Sequence, residues 1–358
     1  MTALGPYAEQ DSFWQGRAVL VTGAQGFIGS WLVEALLDRG AEVVAIVRDT
    51  PVRSRFHLDG MDRRTTLTRA DLGDVPELVR IVNEHEVDTV FHLAAQTIVG
   101  TANRSPLSTF ETNVRGTYNM LEACRLCGAV ARVVVASSDK AYGAHDRLPY
   151  TETAPLAPSF PYDVSKACAD MIARSYHATY GLPVAVTRFA NVYGGGDFNY
   201  SRLVPDTIRA LLDGRRPVLR SDATPERDFM YAEDAAAAYL AIAETLDREE
   251  VAGRAFNAGS GTPVPVIDVV RRLIAISGRD LEPDIRGEAP PAGEIARQFL
   301  DSSLIEELVG WTARRELDDG LRATYEWYEK SSGPTRSSAS ATAKRSARSR
   351  MFSRTIES

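Results

Sequence analysis

The chain has 358 residues and a formal charge of −7, from 41 Lys and Arg against 48 Asp and Glu. That length allows one large α/β unit or two linked domains, and the acidic balance argues against nucleic acid as the principal partner. No apolar run reaches the about 18 residues of a membrane helix and no basic leader precedes an apolar stretch, so a cytoplasmic protein without a membrane partner is expected.

After an N-terminal extension (1–16), β-branched runs alternate with amphipathic ones. Strands read at Ala18–Val21, Glu42–Val47, Thr66–Thr68, Thr89–Leu93, Arg132–Ala136 and Val184–Phe189. Helices read at Phe27–Arg39, Val75–Glu84, Leu107–Cys127 and Tyr162–Tyr180. This alternation predicts an α/β fold of βαβ units with right-handed crossovers and a doubly wound parallel sheet over residues 17–190. Beyond Asn191 the rhythm breaks on glycine and proline clusters, which suits a smaller α/β lobe over 191–225 and 261–330, with a return to the main sheet near 226–260. Residues 331–358 carry six Arg and Lys against one Glu, a tail of +5 that leaves −12 on the remainder. Rich in Ser and poor in aromatics, the tail reads as disordered.

The first strand opens onto Gly23, Gly26 and Gly29 and then an amphipathic helix. Glycine at those places permits a tight turn, close approach of backbone N–H groups to a pyrophosphate, and close packing of helix on strand. A Rossmann-like dinucleotide site is therefore expected here. At the end of the second strand stand Arg48 and Asp49; an acid there suits a free ribose 2′-hydroxyl and an arginine a 2′-phosphate, so both NAD and NADP remain open.

The fifth strand opens onto Ser137-Ser138-Asp139-Lys140, polar groups that are costly to desolvate unless they pair or do chemistry. Tyr162 and Lys166 lie four apart at the start of a helix and project from one face. An ammonium near a phenol favours its phenolate, which could take a proton from a hydroxyl. Cys124 and Cys127 have C-x-x-C spacing inside an apolar helical pattern, which reads as packing, and His57, His85, His92, His145 and His177 form no metal-binding motif, so no metal is expected.

In combination, Gly23-x-x-Gly26-x-x-Gly29, Asp71-Leu72, His92-Leu-Ala-Ala-Gln96, Asn113 and Tyr162-x-x-x-Lys166 resemble the extended short-chain dehydrogenase/reductases, over about residues 17–330. Within them, Ser138-Asp139-Lys140 resembles the nucleotide-sugar 4,6-dehydratases, and the Asp-Lys pair in particular the CDP-glucose 4,6-dehydratases. The resemblance implies a tightly bound NAD or NADP held by Gly23, Gln25, Gly26, Phe27, Ile28, Gly29, Arg48, Asp49, Asp71, Leu72, Leu93, Ala94, Ala95, Gln96, Asn113, Ser137, Tyr162 and Lys166. It implies catalysis by Ser138, Asp139, Lys140, Tyr162 and Lys166: oxidation at a hexose C4, protonation of the departing C6 hydroxyl by Asp139, loss of the C5 proton assisted by Lys140, and reduction at C6. The nucleotide sugar would meet Gln96, Ser138, Asn191, Arg202, Leu203, Arg227 and Asn257, and two copies would pair through the helices near 107–127 and 162–180. One segment departs: Arg227-Asp-Phe-Met-Tyr resembles the epimerase and dTDP-sugar branches. A nucleotide-sugar 4-epimerase, which needs no elimination pair, and a non-catalytic nucleotide-sugar binding protein are the alternatives.

Overall fold

The structure, a computed structural model, describes residues 11–49, 53–287 and 295–332. Apart from the exposed edge strand Thr66–Arg69, its main sheet is assembled from short runs rich in valine, alanine and isoleucine that are largely buried on both faces, as parallel strands covered by helices must be. In chain order these are β1 (Ala18–Thr22), β2 (Glu42–Val47), β3 (Thr66–Arg69), β4 (Thr89–His92), β5 (Arg132–Ala136) and β6 (Val184–Phe189). Successive side chains leave opposite faces of a strand. Val19 and Val21 accordingly enter one core with Leu32, Val33 and Leu36 of helix α1 (Phe27–Asp38), while Leu20 enters the other. That second core includes Leu78 and Ile81 of α2 (Val75–Glu84) and Met120 and Leu121 of α3 (Gly116–Leu126), with Ala173 of α4 (Pro161–Tyr180).

The expected strands and most helices end within one residue of their observed limits. The helix expected over 107–127 is instead broken into Pro106–Phe110, a π turn at Glu111–Arg115 and α3. The widened turn carries Asn113 inward, where its amide donates to the Gln96 carbonyl and to Ser165 Oγ. A second departure concerns the return near 226–260, of which only part joins the main sheet.

The chain leaves β6 and at once begins β7 (Asn191–Tyr193), which belongs to another sheet. After α5 (Leu203–Leu212) and β8 (Val218–Leu219), β9 (Glu226–Tyr231) pairs with β7, and α6 (Ala232–Glu244) packs beside α1. Then β10 (Ala255–Ala258) adds to β6, completing a seven-stranded parallel sheet in the order β10-β6-β5-β4-β1-β2-β3. The order reverses at β1, whose neighbours are β2 and β4, and an open crevice at the carboxyl ends of β1 and β4 results. The second sheet continues with β11 (Pro263–Pro265) and, after α7 (Val266–Ser277) and β12 (Asp284–Ile285), with β13 (Arg297–Gln298). Its core, including Ile208, Leu211, Val270 and Leu273, is closed by Leu321 and Tyr325 of α8 (Leu317–Ser332).

Ser331 and Ser332 close α8, and the rest of the expected tail, from 333 on, lies outside the described residues. Of the N-terminal extension, Asp11–Trp14 is a short helix whose Trp14 is fully buried and donates to Glu244. Cys124 is packed in the helical core, where burial pushes its thiol well above the usual range, as the packing reading requires. Among the described residues, no helix is long and apolar enough to cross a membrane.

Two glycines of the first turn are sterically required. Gly23 has φ of +74°, and a methyl group there would stand 2.8 Å from the Ala94 nitrogen; one at Gly29 would collide with the Gly23 carbonyl. Gly29→Ala should therefore cost about 1–3 kcal/mol of stability by forcing α1 away from β1. Urea denaturation measures this, and an unchanged midpoint would contradict it.

Candidate active site

A cleft of about 1690 Å3 runs from the glycine turn, past the end of β5, to α5 and β8. At one end, Gly23, Gln25, Gly26, Phe27, Ile28 and Gly29 line it, with Leu93, Ala94 and Ala95 after β4, and Asp71 and Leu72 after β3. The N-terminus of α1 has no side-chain cap, which leaves its first N–H groups directed at the cleft. Gln25 is held by its own neighbours: its carbonyl accepts from Ser54 Oγ, and its side chain meets His57 Nε2 at 2.9 Å. Arg48 and Asp49 line the cleft beyond β2 and pair with each other at 3.1 Å, both well exposed. An uncapped helix end over a cradle too tight for any Cβ fits a dinucleotide diphosphate.

Gln96 and Asn113 do not face the cleft as expected of ligand contacts. The Gln96 N–H donates to Asn113 Oδ1 at 2.7 Å and Asn113 Nδ2 returns the bond at 3.0 Å, so the two amides lock the strand end from behind.

At the middle of the cleft, the end of β5 meets the start of α4. Pro161 is the first residue of α4, where its missing N–H costs nothing, and Tyr162 and Lys166 follow on the buried side. The Lys166 ammonium donates to the Ala136 carbonyl at 2.8 Å, and Ser137 Oγ donates to the Lys166 carbonyl at 3.0 Å. Burial brings the lysine down to about 8. The Tyr162 phenol is pushed up to about 12 by burial; the Arg202 guanidinium and a hydrogen bond with Ser138 oppose the rise, and the carboxyls of Asp139 and Asp163 add to it. Lys166 is thus anchored on backbone, and the positive charge that favours the phenolate comes from Arg202.

Ser138 is the hinge of this group. Its hydroxyl donates to Asp139 Oδ1 at 3.0 Å, and it also meets the phenol. Asp139 is only 4 % exposed, and its Oδ2 has no partner among the described residues. Burial raises its carboxyl from an ordinary 3.8 to about 6, against the pull of Lys140 and the Ser138 hydrogen bond. Lys140 lines the cleft and also bears on Asp163, a buried carboxyl with one oxygen that has no partner among the described residues. Asp163 had no place among the expected site residues, although it directly follows Tyr162; an aspartate so placed is commonplace on a helix, and only burial marks it.

Toward the other end, Asn191, Arg202, Leu203 and Arg227 line the cleft. Arg202 pairs with Asp197 at 3.3 Å and remains 39 % exposed; Arg227 is buried and donates to the Glu226 carbonyl at 2.8 Å. Asn257 does not reach the cleft. It is fully buried, accepts from the Tyr142 hydroxyl and donates to the Tyr150 and Asp301 carbonyls, so the expectation of a ligand contact is corrected. Arg220, Ser221 and Phe229 also line this end, and Tyr239 of α6 closes the floor. Of these, only Phe229 falls in a segment noted in the sequence, the one that follows Arg227; the fold collects the others.

A family model described as the NAD dependent epimerase/dehydratase family matches residues 19–259. The chain belongs to this family. The dTDP-glucose 4,6-dehydratase 1 of Escherichia coli is 33 % identical, over 87 % of this chain and 92 % of the relative. The CDP-glucose 4,6-dehydratase of Salmonella typhimurium is 30 % identical, over 89 % and 92 %. A trifunctional UDP-glucose 4,6-dehydratase of Arabidopsis thaliana is 31 % identical over 89 % of this chain, which spans 48 % of that longer relative. Among solved members of the epimerase/dehydratase family, the dTDP-glucose 4,6-dehydratase DesIV of Streptomyces venezuelae with NAD bound has a TM-score of 0.80 at 32 % identity, covering 88 % of this chain and 98 % of that one. The UDP-glucose 4-epimerase of Thermotoga maritima with UDP-glucose has 0.80 at 29 %, covering 88 % and 99 %.

The buried carboxyl makes one prediction independent of any ligand. A folded-state value above the unfolded one means that stability falls as pH rises from about 4 to about 6, and the difference in Asp139 corresponds to about 3 kcal/mol. Asp139→Asn should lack that loss, so its stability relative to wild type should increase across this range and level off above it. Denaturant melts at a series of pH values check this; a gap that does not change with pH would refute the burial of an ionisable group here.

Proposed function

We propose that the protein is a nucleotide-hexose 4,6-dehydratase, with CDP-glucose the foremost substrate and a nicotinamide dinucleotide regenerated in each turnover. One observation carries the reading: phenol, hydroxyl and buried carboxyl stand in unbroken contact through Tyr162, Ser138 and Asp139. Relatives that are 4,6-dehydratases for dTDP-, CDP- and UDP-glucose support the reaction class, and the Asp139-Lys140 pair favours the CDP-sugar among them. NAD is the favoured cofactor from the family description, and Arg48 beside Asp49 keeps NADP as the alternative.

The glycine turn and the start of α1 would hold the cofactor diphosphate, with Asp71, Leu72 and Leu93–Ala95 along its length. Bound there, the nicotinamide supplies a reversible two-electron acceptor. The protons are handled by the chain's own residues. Tyr162 takes the O4 proton, Ser138 aligns that oxygen, the Arg202 guanidinium favours the phenolate, and Lys166 follows one helical turn later, held by the Ala136 carbonyl. Oxidation at C4 acidifies the hydrogen at C5. Asp139, kept protonated by burial to about pH 6, would donate to the leaving C6 hydroxyl while Lys140 would take the C5 proton, so that water is lost across C5 and C6 and the same proton would return to C5 as C6 is reduced. Asn191, Arg202 and Arg227 would take the diphosphate of the substrate.

Incubation with CDP-, dTDP-, UDP- and GDP-hexoses labelled with deuterium at C4 should give loss of water and label at C6, with the CDP-sugar turned over fastest. A product of unchanged mass would favour the epimerase instead. Asp139→Asn should bind cofactor normally and lose elimination by about 10²–10⁴-fold; wild-type turnover in that variant would rule out the acid.

We propose further that two copies pair through α3 and α4. Leu126, Met171 and Tyr180, on these two helices, are large apolar side chains more than half exposed. Sedimentation should give a dimer that Met171→Glu dissociates; a wild type that sediments as a monomer at micromolar concentration would sink this pairing.

A further inference from the structure

We infer that Tyr142, Arg188 and Asn257 form a positioning network that holds Asp139 in place for elimination while leaving the oxidation step to Tyr162, Ser138, Lys166 and Arg202. The inference rests on the dehydratase reading above. Its starting point is that Asp139 is poorly anchored by its own contacts. One carboxyl oxygen accepts only from the neighbouring Ser138, and the other accepts from nothing among the described residues. A buried carboxyl in that condition gains by turning outward to water. What prevents the turn is the backbone that carries it, the single 3-10 turn Asp139–Tyr142.

That turn is fastened at its far end by the Tyr142 side chain. Tyr142 is fully buried and stacks on Tyr150, ring centres 4.9 Å apart and planes 23° from parallel. Its hydroxyl donates to Asn257 Oδ1 at 2.7 Å and accepts from Arg188 Nη1 at 2.9 Å. Arg188 is itself fixed by a two-pronged pair, Nε to Asp170 Oδ2 at 2.8 Å and Nη2 to Asp170 Oδ1 at 3.0 Å, both side chains being almost wholly buried. Asp170 belongs to α4, the helix that carries Tyr162 and Lys166, and Arg188 belongs to β6. Asn257, from β10, directs its amide hydrogens to the Tyr150 and Asp301 carbonyls.

Two elements, β6 and β10, therefore meet at one phenolic hydroxyl in the same turn as Asp139, and a third, α4, joins them through Arg188. A buried network with its polar groups paired admits a single geometry, and this one ties the acid to the helix of the oxidising pair. None of Tyr142, Asp170, Arg188 or Asn257 lines the cleft. Removing the Tyr142 hydroxyl loosens the acid without touching the phenol on α4 or the lysine held by the Ala136 carbonyl.

The test is Tyr142→Phe, which keeps the ring and its stack on Tyr150 and removes only the hydroxyl. In single turnovers of the cofactor-loaded enzyme with the nucleotide hexose that the wild type dehydrates, reduced-nicotinamide absorbance should appear at the wild-type rate. It should then decay more slowly by about tenfold or more, the scale of one buried hydrogen bond. Asn257→Ala, which cuts the same bond from the other side, should show the same split between the two phases. Decay at the wild-type rate, or an equal slowing of both phases, would overturn the network's role. Failure of both variants to fold would also overturn it, by assigning the network to stability alone. If the wild type itself releases water from no nucleotide hexose, the dehydratase reading falls instead, and the two failures are told apart.

Discussion

Desolvation at the end of β5 is the constraint around which the rest of the molecule is arranged. Within one stretch of the cleft wall, a carboxyl, a phenol and an ammonium are all taken out of water, and burial moves each toward its neutral form: Asp139 and Tyr162 upward, Lys166 downward. Groups brought closer to neutrality in this way exchange protons with a substrate at smaller energetic cost than fully solvated ions would. The compensation is local. A backbone carbonyl receives the ammonium, a serine hydroxyl joins phenol to carboxyl, and a single guanidinium from the opposite lobe supplies positive charge.

That guanidinium ties the two halves of the molecule together. Arg202 pairs with Asp197, in the glycine loop that follows β7. In the same loop the Gly195 carbonyl accepts from Trp31 Nε1 of α1 at 2.9 Å, and Arg55 lies over the Trp31 ring at 4.1 Å while pairing with Glu34. Gly196, at φ of +88°, leaves no room for a side chain against Arg55. The helix beneath the cofactor end of the cleft and the arginine at its substrate end are thus joined through one short segment. Movement of one lobe against the other must pass through these contacts.

Much of this architecture is legible in residue order because its causes are local. Short β-branched runs mark the strands, three glycines mark the turn, in which Gly23 and Gly29 leave no room for a Cβ, and proline and glycine mark the two ends of α4. What local pattern could not supply was the use of polar side chains whose partners are remote in sequence. Asn113, Gln96 and Asn257 carry groups that could equally face a ligand or a backbone; the π turn at Glu111–Arg115 and the arrival of β10 beside β6 decide for the backbone. Asp163 escaped notice for the converse reason, since nothing but its burial separates it from an ordinary surface aspartate.

The amino-acid sequence by itself determined the parallel sheet, the glycine turn at its switch point and the adjacency of Ser138, Asp139 and Lys140, because each depends on spacing along the chain. Only the tertiary structure decided which of the polar residues meet the cleft, which cation faces the phenol, and how the acid is held. Those outcomes depend on desolvation and on contacts between segments far apart in the chain, such as Tyr142 with Asn257 and Arg188 with Asp170.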